Sequence, residues 1–250
     1  MTIVSRNNPL VKELAALKEK KFRKERGTFL VEGYKMVGEC LTGGLHILRV
    51  AVREDFEWGV TFAEQNKLPC ILLGKDAFAA VCDEKTPQGI VAEVEIPRYT
   101  LRPPKGSCLL LDGVSDPANV GAIVRTANAA GYAEIYCIDC ADPYSPKSVR
   151  ASMSGVFFAE IMQGNAEEVF SALSDVPMLA ADMDGENVFR FTPPLKFCLC
   201  IGSEGSGLSD DVLRRCEYTV KIPMGGHTES LNAAVSAGIL MYQLKKNLFE

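Results

Sequence analysis

Leu199–Leu208 reads LCIGSEGSGL, and Val220–Leu240 reads VKIPMGGHTESLNAAVSAGIL. Each stretch starts as an apolar, strand-like run and ends in a polar loop with several glycines. Two such loops close in sequence predict one ligand site at the ends of adjacent strands, the usual place for a site in an open α/β sheet. The second loop passes through Glu229-Ser230-Leu231-Asn232 into a helical stretch whose Ala233, Ala234, Ala237 and Gly238 permit tight packing. Ser230 is the expected cap of that helix.

Working outward, Asp112–Gly131 reads DGVSDPANVGAIVRTANAAG. Cys108–Asp112 is a continuous apolar run, the pattern of a strand buried on both faces. Asp116-Pro117 is a helix start, with an acid at the cap and proline in the first turn. Val120, Ile123, Val124, Ala127 and Ala130 make its apolar stripe, and Gly131 ends it. Gly121 and Arg125 lie one turn apart on another face. Arg125 has the rigid donor fork that binds phosphate, although an amphipathic helix also carries ordinary surface arginines.

Residues 107–250 thus repeat strand, helix, strand, which argues for a mostly parallel sheet covered on both faces. Residues 1–97 form a smaller alternating α/β module. Residues 98–106, with two prolines, three basic residues and no acid, read as a linker. The fold class is therefore α/β in two domains.

Composition narrows the function. The chain has 250 residues, a hydrophobic fraction of 47% and a charged fraction of 24%, ordinary values for a globular protein. It contains no run of about 18 apolar residues and no apolar leader, so no membrane partner and a cytoplasmic location are expected. The nine cysteines read as reduced. Cys137-Ile138-Asp139-Cys140 is a CxxC, but with no second CxxC and two histidines in the chain no metal is expected. The net charge of −5 is uneven, because residues 1–35 carry nine basic and four acidic side chains. Lys20, Lys21, Arg23, Lys24 and Arg26 fall in that arm. On charge alone it is either a surface for a polyanion or a solvated helix face.

The glycine loop at 202–208 is neither GxGxxG nor GxxxxGK[ST], which speaks against a dinucleotide oxidoreductase and a P-loop enzyme. Glu204 inside it would repel phosphate and suits a cationic or hydroxyl-bearing ligand. His227 reads as a loop histidine.

Together the three segments resemble the SpoU (TrmH-like) family of RNA ribose 2′-O-methyltransferases. Asn119–Ala127 is similar to its N-x-G-x-x-x-R-T-A motif, Gly202–Leu208 to G-S-E-G-x-G-L, and Ile222–Asn232 to I-P-M-x-G-x-x-x-S-L-N. Order and spacing match, and the likeness covers residues 107–245. More loosely, residues 1–97 resemble the family's small RNA-binding domain, similar to a ribosomal-protein fold. Its cues are Asn8-Pro9, Glu32-Gly33 and Thr86-Pro87-Gln88-Gly89.

The resemblance implies a trefoil-knotted catalytic domain, S-adenosylmethionine as methyl donor, no metal, and a homodimer formed through the knotted domain. It implies that Gly202, Ile222 and Leu231, with Ser203 and Met224, hold the donor. Arg125 would activate the substrate, with Asn119, Glu204, Ser230 and Asn232 orienting it and the ribose. Lys20, Lys21, Arg23, Lys24 and Arg26 would bind RNA, joined by Arg98, Arg102 and Lys105. The expected substrate is 23S ribosomal RNA. Methylation of transfer RNA, or a non-catalytic RNA-binding protein retaining the fold, are the alternatives.

Overall fold

The computed structural model describes residues 2–228 and 230–248, and it divides the chain into two compact units. The first comprises residues 1–97 together with 144–149, and the second residues 98–143 and 150–250. Sequence periodicity assigns Tyr144–Val149 to the second module. The structure groups it with the first, where the fully buried Tyr144 ring lies 5.1 Å from that of Phe29.

In the first unit the chain runs β1 (Thr2–Ile3), α1 (Pro9–Ala16), α2 (Lys20–Arg26), β2 (Thr28–Glu32), α3 (Tyr34–Thr42), β3 (Ile47–Arg53), α4 (Glu57–Gln65), β4 (Cys70–Leu73), α5 (Lys75–Val81) and β5 (Ile90–Glu95). The sheet order is β1-β4-β3-β5-β2, with β5 antiparallel to both neighbours and the remaining pairs parallel. Helix α1 starts where the Asn8 side chain accepts the Leu10 N–H at 2.9 Å, with Pro9 in the first turn. Its Val11 and Leu14 join Leu17, Leu30, Ala51, Leu73, Phe78 and Val91 in one core.

The basic run is a helix, closed by Gly27 in the left-handed conformation. Its side chains do not form one cationic face. Arg23 is 3% exposed and donates from Nη1 to the carbonyls of Leu17 and Lys18. That corrects its expected role as an RNA contact, because a guanidinium enclosed by carbonyl oxygens has no face left for a phosphate. Arg26 pairs with Glu13 at 2.6 Å and approaches Glu93 at 3.6 Å. Glu93 is 1% exposed; it accepts from Arg49 Nε at 2.6 Å and Thr28 Oγ1 at 2.9 Å. Arg49 also reaches Glu13. Hydrogen bonds from Arg26 and then Arg49 hold the Glu13 carboxyl below the usual carboxylate range. Lys20, Lys21 and Lys24 remain exposed.

The second unit runs β6 (Cys108–Asp112), α6 (Pro117–Ala129), β7 (Glu134–Ile138), α7 (Pro146–Ser152, whose first residues belong to the other unit), β8 (Glu160–Gln163), α8 (Ala166–Ala172), β9 (Met178–Asn187), β10 (Cys198–Ile201), α9 (Asp210–Leu213), β11 (Tyr218–Lys221) and α10 (Ala233–Leu244). All strand pairs are parallel, in the order β11-β9-β10-β6-β7-β8. From β10 the chain passes to β11 at the sheet edge beyond β9, then returns so that α10 packs on α6. Helix α9 lies between the 202–208 loop and β11. A single 3-10 turn at Gly155–Phe157 precedes β8.

Segment 98–106 is fastened to its own unit. Arg102 pairs with the buried Glu134 at 2.5 Å and with Glu160, and its carbonyl accepts the Tyr136 hydroxyl at 2.6 Å. Its guanidinium is therefore engaged by carboxylates, against the expectation of an RNA contact. Most cysteines are buried, and burial pushes the Cys40 thiol up to about 12. Among the described residues no His/Cys/Asp/Glu group could hold a metal ion, and no helix is long and apolar enough to cross a membrane.

Candidate functional site

Strand β10 ends at Ile201, and the loop that follows folds back on itself at once. A Cβ at Gly202 would lie 2.1 Å from the Gly207 carbonyl carbon and 2.3 Å from Leu208 N, so only glycine fits. Ser203 and Gly207 exchange backbone hydrogen bonds of 2.9 and 3.1 Å. The far end of the loop is anchored by Asp112, the last residue of β6, whose Oδ2 accepts the Ser209 N–H at 2.7 Å. Asp112 is buried, and sequence reasoning gave it no role. Its signal was an acid closing an otherwise apolar strand.

The three motif segments meet through side chains. Asn119, in the first turn of α6, donates from Nδ2 to Glu204 Oε1. Its Oδ1 accepts from Asn232 Nδ2 at 3.0 Å. Asn232 Oδ1 in turn accepts the backbone N–H groups of Ala234 and Val235 at 2.9 and 3.3 Å, capping α10. A single relay therefore runs from the 202–208 loop through α6 to the start of α10. The cap is Asn232 rather than the expected Ser230, because the helix begins two residues later, at Ala233. Glu229, inside the third motif, lies outside the described residues.

Beside this relay is a cavity of about 700 Å³, within the range of sites for small organic ligands. It sits at the carboxyl ends of β10 and β11 and beside the middle of β9. All five expected donor contacts line it, namely Gly202, Ser203, Ile222, Met224 and Leu231, as do Glu204 and Ser230. Ile222 and Leu231 give apolar walls, and the glycine loop gives exposed backbone amides and carbonyls.

Arg125 stands apart. It is exposed on α6, and its side chain makes no hydrogen bond or ion pair among the described residues. The relay of Asn119, Glu204 and Asn232 does not reach it. Those residues hold the loops to one another, which differs from the expectation that they orient Arg125. Of the basic candidates in the first unit, Lys20, Lys21 and Lys24 are open to solvent, whereas Arg23 and Arg26 are engaged within their own unit.

Comparison with known proteins gives a consistent picture. Residues 106–242 match the SpoU rRNA Methylase family, and residues 8–92 match the MRM3-like substrate binding domain. The chain is 31% identical over 247 residues to the 23S rRNA (guanosine(2553)-2'-O)-methyltransferase RlmP of Bacillus subtilis, covering 97% of this chain and 98% of that protein. It is 31% identical over 260 residues to the 23S rRNA (uridine(2479)-2'-O)-methyltransferase of Streptomyces viridochromogenes, covering 96% and 90%. Among solved structures, the AdoMet-bound rRNA methyltransferase from Sinorhizobium meliloti superposes with a TM-score of 0.90 at 28% identity, covering 100% of this chain and 99% of that one. The SpoU methyltransferase AviRb from Streptomyces viridochromogenes in complex with AdoMet gives 0.87 at 27%, covering 97% and 99%.

Proposed function

The chain belongs to the SpoU rRNA Methylase family, and on that premise we propose that it transfers a methyl group from S-adenosylmethionine to a ribose 2′-hydroxyl of structured RNA, in particular 23S ribosomal RNA, in the cytoplasm. The observation that carries this reading is the relay Glu204–Asn119–Asn232, which ties three motif segments together at the rim of a cavity of about 700 Å³. The cavity suits the donor chemically. Backbone groups of the 202–208 loop meet a heteroaromatic base, Ile222 and Leu231 flank it, and carboxylates on the wall favour a cation.

The donor supplies a methyl group on a sulfonium, already joined to a good leaving group. What this chain must add is alignment of the 2′-oxygen and a route for its proton. Arg125 is assigned to the RNA. A guanidinium stays protonated near neutral pH and is a poor base, so its role is to hold a phosphate beside the reacting ribose. A phosphate oxygen then accepts the hydroxyl proton. Glu204, Asn119 and Asn232 fix the loops that present Gly202, Ser203, Ile222, Met224 and Leu231 to the donor, and Ser230 closes the rim.

Residues 1–97 are assigned to RNA capture through Lys20, Lys21 and Lys24, residues 98–106 to the connection, and residues 107–250 to catalysis. The return of the chain from β11 to α10 is read as a trefoil knot. The exposed Val235 and Tyr242, two turns apart on α10, support a homodimer formed by this face, which sedimentation would detect.

Two experiments test the reading. Calorimetry should detect S-adenosylhomocysteine and not NAD; binding of NAD alone would overturn it. Mapping of 2′-O-methyl groups should find a ribosomal RNA site that disappears from cells lacking the gene. Loss from transfer RNA instead would redirect the substrate. The two curated relatives are named for a guanosine and a uridine, so their names support the RNA class rather than a particular base.

A further inference from the structure

Strand β9 leaves its partner just where the cavity opens. Thr219 of β11 pairs with Ala180, and the next residue, Val220, pairs with Glu186. Residues 181–185 therefore have no partner on β11 and form a bulged excursion within β9. Its end is pinned, since a Cβ at Gly185 would lie 2.5 Å from Val220 N. Its middle is held by Asp182 Oδ1, which accepts the Asp184 N–H at 3.1 Å. Irregularities of this kind beside active sites re-aim side chains. Here Ala181, Asp182 and Met183 become cavity wall.

The charged side chains on that wall are Asp182, Glu204 and Lys221 among the described residues. Glu204 is bonded by Asn119. Asp182 and Lys221 are half-buried, and neither has an ion-pair partner among the described residues. A carboxylate and an ammonium brought to one cavity without being paired to each other match a ligand that carries both signs.

We propose that Asp182 binds the α-ammonium, and Lys221 the α-carboxylate, of the donor's amino-acid tail. This rests on the methyl-donor reading and adds to it the subsite for the zwitterionic end. The rest of the pocket, with the glycine loop, Ile222 and Leu231, is then left for the nucleoside. The five-residue excursion of β9 exists to carry Asp182 to its place. A strand continuing in register with β11 would keep residue 182 in the sheet.

The test uses the full chain and three ligands in calorimetry. S-adenosylhomocysteine carries the whole tail, S-adenosylthiopropylamine keeps the amine without the carboxylate, and methylthioadenosine has neither. Asp182→Asn should weaken the first two by about tenfold and leave methylthioadenosine unchanged, the size expected for one charge-assisted hydrogen bond. Lys221→Met should weaken only S-adenosylhomocysteine. Thermal unfolding of each variant at the wild-type temperature shows that the fold is kept. Equal weakening of all three ligands, or no weakening, overturns the assignment, because the side chains would then act only through loop shape or not at all. Wild-type protein that binds none of the three would sink the methyl-donor reading itself, which is a separate result.

Discussion

Each unit of this protein contains a carboxylate held by a polar network, and the two networks use opposite chemistry. In the first unit Glu93 is buried against Arg49, with Thr28, Arg26 and Glu13 completing an ion-pair cluster. In the second, Glu204 is held by the neutral amide of Asn119, which is held by Asn232. The first network balances its charges internally and leaves little for a ligand. The second fixes loop positions without using a cation, so Arg125, Lys221 and Asp182 keep their charges for something else. A charge paired at home is scaffold; a charge left without an ion-pair partner, on the cavity wall or on α6, is a candidate for chemistry.

The strongest way to break that contrast is Arg125→Ala. If Arg125 is reserved for RNA, its loss should reduce methylation by about a thousandfold, within the range for one preorganised donor at a reacting centre. Binding of S-adenosylhomocysteine should stay near normal, because the cavity is lined by other residues. Single-turnover methylation and calorimetry read the two effects. A near-normal methylation rate would remove Arg125 from the mechanism.

Next in size is Arg49→Ala. Glu93 would be left 1% exposed without its closest cation, and breaking a buried pair costs about 3–5 kcal/mol. The chain's one tryptophan, Trp58, lies in this unit with its ring 5.0 Å from that of Phe62, so its fluorescence reports this unit's unfolding. The expected result is a large fall in denaturation midpoint with donor binding retained. Pairing the change with Glu93→Gln should recover part of the loss, since the orphaned charge is gone.

The basic arm tests the other side of the comparison. Replacing Lys20, Lys21 and Lys24 by alanine should weaken RNA binding about tenfold and lower the salt slope by about two to three, as counterion release predicts. Arg23→Ala should act differently and destabilise the fold, because its guanidinium serves the carbonyls of Leu17 and Lys18. Binding that is unchanged in the triple variant would place the RNA surface elsewhere.

Those two lysine and arginine fates were not separable in the sequence. KKFRKER has no apolar spacing to reveal which face turns inward, so its one buried cation looks like its neighbours. The parallel sheet, helix α6 and the glycine loops were legible because continuous apolar runs, the Asp116-Pro117 start and Gly202–Gly207 are local signals. The helix cap was misread because Ser230 and Asn232 can both cap, and only the tertiary bond from Asn232 to Asn119 favours one. Asp112 shows in the sequence only as an acid closing an apolar run, and the excursion at 181–185 not at all, for a related reason. Their roles depend on Ser209 and Val220, which join them through the fold rather than through neighbouring sequence.

The smallest effect sharpens the ion-pair side. Glu13 is held below its ordinary value of 4.5 by Arg26 and Arg49. A depressed carboxylate contributes stability that is fully present above the unfolded pKa and lost as pH falls through the folded one. The first unit should therefore lose stability as pH drops below 4.5. Glu13→Gln should flatten that decline and lower stability slightly at neutral pH. Because the side chain is 36% exposed, solvent screens the pair and the difference should stay below about 1 kcal/mol. Trp58 fluorescence melts at pH 7 and below pH 4 measure both ends. A steeper decline in the variant would remove Glu13 from the proton linkage of this unit.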